Sequence, residues 1–317
     1  MTPIENHPKL ASAIGLSDLY FKREDMHPYG SHKGRSIPVM IDHYFANGDR
    51  GFAISSSGNA ALAAALHIQN PKSNLVGSKL DIFVGNHVSI DKLKKIRDIA
   101  DKSGGAIRVL VKERPLQALT QVAQEGVRSL RQSTDDEALV GYDSLAKEIL
   151  TQVTQAKGST SKSSGAKNIA RGISESSASK IRAVFMGTSS GTTAQALAQY
   201  FLRNKSKIQM HIVQTSSCHP LADTFETYDG PNEKSIADAI TDITGHRKSA
   251  LVPLIEKTGG RAWVATNEDI ATAQELVNIN ANLEISTNSA LSVVGAMKAA
   301  YVGHKIDGTV VCIMGGE

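Results

Sequence analysis

The chain has 317 residues, 41% of them hydrophobic and 21% charged, with a formal net charge of +4. That suits one large α/β unit or two modest lobes. Aromatics are only 5% and no basic run alternates with them, so a nucleic-acid partner is not expected. No apolar run approaches the roughly 18 residues of a membrane span. Cys218 and Cys312 offer neither metal-ligand spacing nor a disulfide framework. The start, Met1-Thr2-Pro3-Ile4-Glu5-Asn6-His7, lacks the charged-then-apolar pattern of a signal peptide, which sets the expectation of a cytoplasmic protein with no membrane partner and no metal.

In chain order, an apolar strand end at Leu19 to Phe21 runs into Lys22-Arg23-Glu24-Asp25 and then a Pro28-Tyr29-Gly30 turn. Ser31 is positioned as an N-cap, so the spacing predicts Lys33 in the first turn of a helix reaching about Ala46, with Val39, Met40, Ile41, Tyr44 and Phe45 on its apolar face. The positive end of a helix disfavours a nearby cation, and a lysine held as a neutral amine is a nucleophile toward carbonyl groups. Gly51 to Ser55 reads as a strand, Ser56-Ser57-Gly58-Asn59 as a loop, and Ala60 to Gln69 as a helix. Hydroxyls and backbone N–H groups at a helix start suit a carboxylate or another anion.

The alternation continues with a strand at Leu80 to Val84, a helix at Ile90 to Lys102, a strand at Ala106 to Val111, and helices at Leu116 to Leu130 and Tyr142 to Gln155. Ala156 to Lys180 is rich in Ser, Gly and Lys and reads as a low-complexity surface loop, 156–180. Ile181 to Met186 is a strand, followed by Gly187-Thr188-Ser189-Ser190-Gly191-Thr192-Thr193 and a helix over Ala194 to Leu202. Small residues between a strand end and a helix start let the backbone aim several N–H groups at a phosphate. Beyond lie a strand at Ile208 to Gln214, a loop with helical turns to Tyr228, a short strand at Arg261 to Ala265, helices at Asn267 to Asn280 and Ser289 to Tyr301, and a closing strand at Val310 to Met314. Strands separated by helices predict mainly parallel sheets covered on both faces.

Gly187-Thr188-Ser189-Ser190-Gly191 also satisfies Gly-x-Ser-x-Gly, the nucleophile elbow of α/β-hydrolases. In that alternative Ser189 is the nucleophile, with Asp238 or Asp242 and then His246 or His304 as partners. It leaves Lys33 and the Ser56–Asn59 loop unexplained.

Taken in order, the motifs resemble the fold type II pyridoxal-phosphate enzymes, the superfamily of tryptophan synthase β, threonine synthase, the threonine/serine dehydratases and cysteine synthase. Thr2-Pro3-Ile4 resembles the family's opening Thr-Pro-Leu. Lys22 to Asp25 followed by Gly30 to Lys33 resembles its Schiff-base lysine motif, Ser56 to Asn59 its asparagine loop, and Gly187 to Thr193 its cofactor-phosphate loop. Glu284 to Ala290 is loosely similar to its Glu-Pro-x-Ser-Ala segment. The resemblance implies that Lys33 carries the cofactor aldehyde and shuttles protons, and that Asn59 meets the ring hydroxyl. It implies that Ser56, Ser57, Gly58 and Asn59 receive the substrate, and that Gly187, Thr188, Ser189, Ser190, Gly191 and Thr192 hold the phosphate.

Two positions depart from the pattern. Tyr29 stands where the family usually has Thr or Gly, and Met314 falls where relatives place a hydroxyl facing the pyridine nitrogen; a thioether donates nothing. The implied activity is elimination or replacement at Cβ or Cγ of a small amino acid, foremost threonine synthase-like lyase chemistry. Cysteine synthase-like or serine/threonine dehydratase activity is the alternative, and Met314 motivates a further one, a catalytically degenerate cofactor-binding protein. The implied architecture is α/β and two-lobed, with mainly parallel twisted sheets covered by helices and the cofactor in the cleft between the lobes. Residues 1–38 with 141–317 would form the large cofactor-binding domain. Residues 39–140 would form a small, mobile domain carrying the substrate loop. The family suggests a homodimer.

Overall fold

The structure, a computed structural model, describes residues 1–86, 88, 90–160 and 180–316. The chain forms two compact units, one of residues 1–24 with 143–315 and one of 25–142 with 316–317.

The larger unit holds a six-stranded sheet of β1 (Ile4–Asn6), β2 (Leu19–Arg23), β7 (Ile181–Gly187), β8 (Gln209–Thr215), β9 (Ala262–Ala265) and β10 (Thr309–Met314), in the order β1-β2-β10-β7-β8-β9. Only the β1–β2 pair is antiparallel. Every residue of β10 is buried, as a central parallel strand covered on both faces requires. On one face α1 (Pro8–Ala13), α10 (Asn267–Ala281) and α11 (Thr287–Tyr301) close a core containing Leu10, Phe21, Phe185, Trp263, Leu291, Cys312 and Met314. Helix α11 lies so close to the sheet that a Cβ on Gly295 would come within 2.5 Å of Val213 Cγ2, which accounts for its small-residue composition. Helices α7 (Asp143–Thr160), α8 (Thr192–Arg203) and α9 (Lys248–Thr258) also belong to this unit, with α8 and α9 packed on β8.

The smaller unit holds a wholly parallel sheet in the order β5-β4-β3-β6: β3 (Gly51–Ser55), β4 (Lys79–Gly85), β5 (Ile107–Lys112) and β6 (Arg128–Ser129). Ile37, Met40 and Ile41 of α2 (Ile37–Ala46) pack with Ala61, Ala64 and Ala65 of α3 (Asn59–Gln69), with Ile96 of α4 (Ile90–Asp101), and with Phe52, Ile82 and Ile107 of the sheet. On Ala53 and Phe83 sits Leu119 of α5 (Pro115–Gln124).

Four expectations are corrected. Lys33 is not in the helix that ends at Ala46: it sits in a separate 3₁₀ turn, His32–Arg35, and α2 starts afresh at Ile37 with Pro38 in its first turn. Proline cannot donate to the preceding turn and disfavours helical geometry in the residue before it. The helix expected over 116–130 stops at Gln124, where Gly126 turns the chain at φ +94° into β6. Of the loop expected over 156–180, residues 156–160 are the last turn of α7, and 161–179 lie outside the described residues. Residues 25–38, expected in the larger domain, group with the smaller one because α2 and the 3₁₀ turn pack on α3. The residue pattern does not announce α1 or α9.

Candidate active site

The segment from Lys22 to Lys33 divides into a structural half and a presented half. Lys22 is fully buried, and its ammonium donates to Thr2 O at 2.8 Å, Glu148 Oε2 at 2.7 Å and Gln152 Oε1 at 2.8 Å. Thr2 Oγ1 donates to the equally buried Glu24 Oε1 at 2.5 Å, and Gln152 Nε2 donates to Thr2 O at 2.9 Å. The charged lead of the motif therefore clamps the N-terminal residues to α7. Its opening Thr-Pro is the clamped group.

The presented half is a tightly wound turn in the smaller unit. Gly30 adopts φ +78° and its N–H donates to His27 O at 2.7 Å, while His27 Nδ1 accepts from Tyr29 N–H at 3.1 Å. A Cβ on Gly34 would come within 2.3 Å of the His27 ring, so the turn is closed on itself. Ser31, buried and extended, caps the 3₁₀ turn by accepting from Lys33 N–H at 3.3 Å. Gly316, at φ +95°, packs on this turn: its Cβ would lie 2.7 Å from Gly30 O. Tyr29 is tied down as well. Its hydroxyl lies 3.1 Å from His67 Nδ1, and His67 Nε2 lies 2.8 Å from Asp42 Oδ1. The carboxylate accepts from Nε2–H, which leaves Nδ1 to accept from the tyrosine, and Asn70 Nδ2 donates to the tyrosine oxygen at 3.2 Å.

The 3₁₀ turn packs on α3, so Lys33 and the Ser56–Asn59 loop share one unit. Gly58 is the N-cap of α3, with no side-chain cap, and Asn59 is its first residue. Ser56 Oγ accepts from Gly58 N–H at 3.3 Å, and a Cβ on Gly58 would meet nothing within 4 Å. The head of α3 thus has no side-chain cap at its N-cap residue, two serine hydroxyls precede it, and there is open space at the glycine.

The glycine loop belongs to the larger unit. Gly187 ends β7 with no room for a side chain, since a Cβ would lie 2.8 Å from Leu291 Cβ. Gly191, at φ +81°, is the N-cap of α8, and its N–H donates to Thr188 Oγ1 at 3.1 Å. Thr188 N–H donates to Val213 O at 3.0 Å. Among the described residues the N–H groups of Ser189 and Ser190 have no protein acceptor, while Ser190 Oγ and Thr192 Oγ1 stand 2.9 Å apart. The N–H groups of Ser189 and Ser190, with the Ser190 hydroxyl beside them at the head of an α-helix, match the acceptor-only chemistry of a phosphate monoester, so the residues present fit that part of a phosphorylated cofactor.

Ser189 plays a different part from the one the hydrolase motif assigned it. Its Oγ accepts from the backbone N–H groups of Thr241 and Asp242, both at 2.9 Å, and among the described residues no histidine hydrogen-bonds to it. Gln214 braces the same loop, donating to Ser189 O at 3.1 Å and accepting from Leu221 and Ala222 N–H. Behind the loop Arg247, 4% exposed, donates from Nε to Thr192 Oγ1 at 3.1 Å and from Nη1 to Gln195 Oε1 at 3.0 Å. Arg247 and Gln214 went unnoticed in the sequence because neither lies in a motif. Met314 is fully buried in the apolar core of the larger unit with Phe21 and Cys312.

Each unit is a mainly parallel α/β layer with a small-residue loop at a helix start, and the smaller one also presents a lysine on a closed turn; these are the donor groups of a protein that binds anions. The chain belongs to the pyridoxal-phosphate dependent enzyme family, whose sequence model matches residues 1–316. That assignment removes the hydrolase alternative and makes pyridoxal phosphate the cofactor. Over 66 residues the chain is 36% identical to threonine synthase of Methanosarcina acetivorans, a match covering 21% of this chain and 16% of that protein. Among solved structures it resembles a pyridoxal 5'-phosphate-dependent aspartate racemase, with a TM-score of 0.75, 19% identity, and 99% of this chain and 89% of that one covered. It also resembles the processed threonine deaminase isoform 2 of Solanum lycopersicum, with a TM-score of 0.72, 18% identity, and 99% and 78% covered. A maize serine racemase gives a TM-score of 0.72, 18% identity, and 99% and 88% covered. No described helix is long and apolar enough to cross a membrane.

Proposed function

We propose that the protein catalyses elimination and replacement at Cβ or Cγ of a small amino acid, with threonine synthase-like chemistry as the specific reaction. The observation that carries this reading is the 66-residue match to a threonine synthase, together with a lysine turn and two anion-binding loops in family order.

When bound, pyridoxal phosphate supplies the electron sink for a carbanion at the substrate's Cα. Lys33 would hold the cofactor aldehyde and, as a neutral amine, would take and return a proton at the substrate's Cα and at the carbons beyond it. Ser56, Ser57 and the N–H groups at the head of α3 receive the substrate carboxylate, and Asn59 holds the ring hydroxyl. Gly187 to Thr192 take the phosphate, where the N–H groups of Ser189 and Ser190 have no competing protein acceptor among the described residues. Met314 offers no hydrogen bond to a ring nitrogen, so the larger unit contributes packing there. We further propose a homodimer, to be checked by sedimentation.

The test pairs phosphate release from O-phosphohomoserine with ammonia and keto-acid release from threonine and serine. Phosphate release with threonine formed supports the synthase. Deamination without phosphate release moves the assignment to a dehydratase, and turnover of none of these refutes the elimination chemistry.

A further inference from the structure

We propose that Arg247 is a positioning residue of the phosphate loop: its buried guanidinium makes Thr192 Oγ1 an acceptor and thereby turns the Thr192 and Ser190 hydroxyl hydrogens outward, toward a phosphate monoester. This rests on the reading of 187–192 as the phosphate site.

Arg247 Nε stands 3.1 Å from Thr192 Oγ1, and Thr192 Oγ1 stands 2.9 Å from Ser190 Oγ. Arg247 and Thr192 are both buried. A guanidinium has donors only and stays charged at every working pH, so the first of these bonds has one possible sense. A hydroxyl has one hydrogen to give. Thr192 Oγ1 has two lone pairs and Arg247 occupies one of them; the sense proposed for the second bond is that Thr192 gives its hydrogen to Ser190 Oγ, so that Ser190 passes its own to the ligand. Phosphate oxygens accept, so an anion before Ser190 completes a chain running in one direction from Arg247 through Thr192 and Ser190 to the ligand. Each bond polarises the next in a water-poor setting. An acceptor at Arg247's place would favour the opposite sense and present oxygen lone pairs to the anion.

The side chain suits this task. Its second prong reaches Gln195 Oε1 at 3.0 Å, one helical turn beyond Thr192, so the fork grips the first turn of α8 at two points. A lysine would supply charge without that fixed span.

The test is equilibrium binding of pyridoxine phosphate and of pyridoxine to the apoprotein. Neither carries an aldehyde, so Lys33 takes no covalent part. Charge-assisted hydrogen bonds are strong enough that Arg247→Met is expected to lower the preference for the phosphorylated ligand by about tenfold or more, leaving pyridoxine binding in place. Thr192→Val keeps the guanidinium and cuts the relay, and is expected to lower the same preference. Near-ultraviolet circular dichroism checks folding, and if Arg247→Met does not fold, Thr192→Val decides. Variants that weaken both ligands equally, or neither, overturn the proposal. Ser190→Ala and Gly191→Ala separate the two levels of inference. If Ser190→Ala leaves the preference intact, the Ser190 hydroxyl does not donate to the phosphate and the relay fails, while Gly191→Ala, which distorts the N–H cradle itself, decides whether the loop is the phosphate site. If Ser190→Ala lowers the preference while Arg247→Met and Thr192→Val do not, only the role of Arg247 fails.

Discussion

Replacing Lys22 by Met removes a charge that the larger unit has fully enclosed. The ammonium serves three acceptors within 2.8 Å, and Glu148, the anionic one, is only 13% exposed. The methionine matches the lysine stem but takes the ammonium away from Gln152 Oε1 and from Glu148 Oε2, which keeps the Thr2 N–H at 3.3 Å. Breaking a buried pair on one side costs about 3–5 kcal/mol, because the remaining charge keeps its desolvation penalty without compensation. For a unit of this size that is a fall in Tm of roughly 10 °C. Lys22→Met/Glu148→Leu removes that ion pair but leaves Glu24, fully buried 3.9 Å from the lysine ammonium, without its cation, so it is expected to recover only part of the loss. Glu24 stays anchored by Thr2 Oγ1 in either variant. Urea unfolding followed by tryptophan fluorescence reads the larger unit, because the chain's single Trp, Trp263, lies in its core. A Lys22→Met protein within about 1 kcal/mol of the parent, or a double variant no better than the single one, would refute this account of the clamp.

Three further outcomes are expected. His211 is fully buried; Nε2–H donates to Gln209 Oε1 and Nδ1 accepts from Arg261 N–H and Trp263 Nε1–H, so a proton on Nδ1 would face two donors. Burial, and the His304 ring beside it, push its pKa down to about 3. The folded value lies below the unfolded one, so this stability is fully present above about pH 6.5 and is lost as pH falls toward 3, at up to about 1.4 kcal/mol per pH unit. Urea midpoints between pH 7.5 and 5 should show that slope and lose it in His211→Gln; an unchanged slope counts against it. Gly191→Ala places a Cβ 2.6 Å from Leu251 Cδ2 at φ +81°, so pyridoxine phosphate affinity should fall by at least about tenfold, and unaltered titration would exclude the strained cap. Borohydride reduction of the holoprotein, followed by peptide mass mapping, should put the cofactor mass on Lys33, and a mass on another lysine reassigns the site.

Much of the local architecture could be read from residue order. Strand and helix periods gave the βα alternation within a residue or two from Gly51 to Ile107, and the small-residue loops before α3 and α8 declared themselves through Gly58 and Gly191. These features rest on interactions between near neighbours, which a linear pattern records. Pro38 is equally visible in the sequence, but the apolar period of α2 runs through it and masks the restart at Ile37.

Other features depend on partners far along the chain. Lys22 and Glu24 sit in a charged run that reads as solvated, yet both are buried: Glu148 and Gln152 of α7 reach back to Lys22 across more than a hundred residues, and Thr2 Oγ1 donates to Glu24. Strand β10 enters between β2 and β7, placing residues from opposite ends of the chain side by side. Arg247 lies at the start of a helix whose apolar pattern is interrupted by Pro253, and its meaning arises only where α9 brings it against Thr192 and Gln195. Composition and spacing determine which groups could bind an anion or attack a carbonyl, because those are properties of residue type and local backbone. Which charges are buried, and which hydroxyl is made to donate, is decided only when distant segments exclude water from them and supply the matching hydrogen bonds.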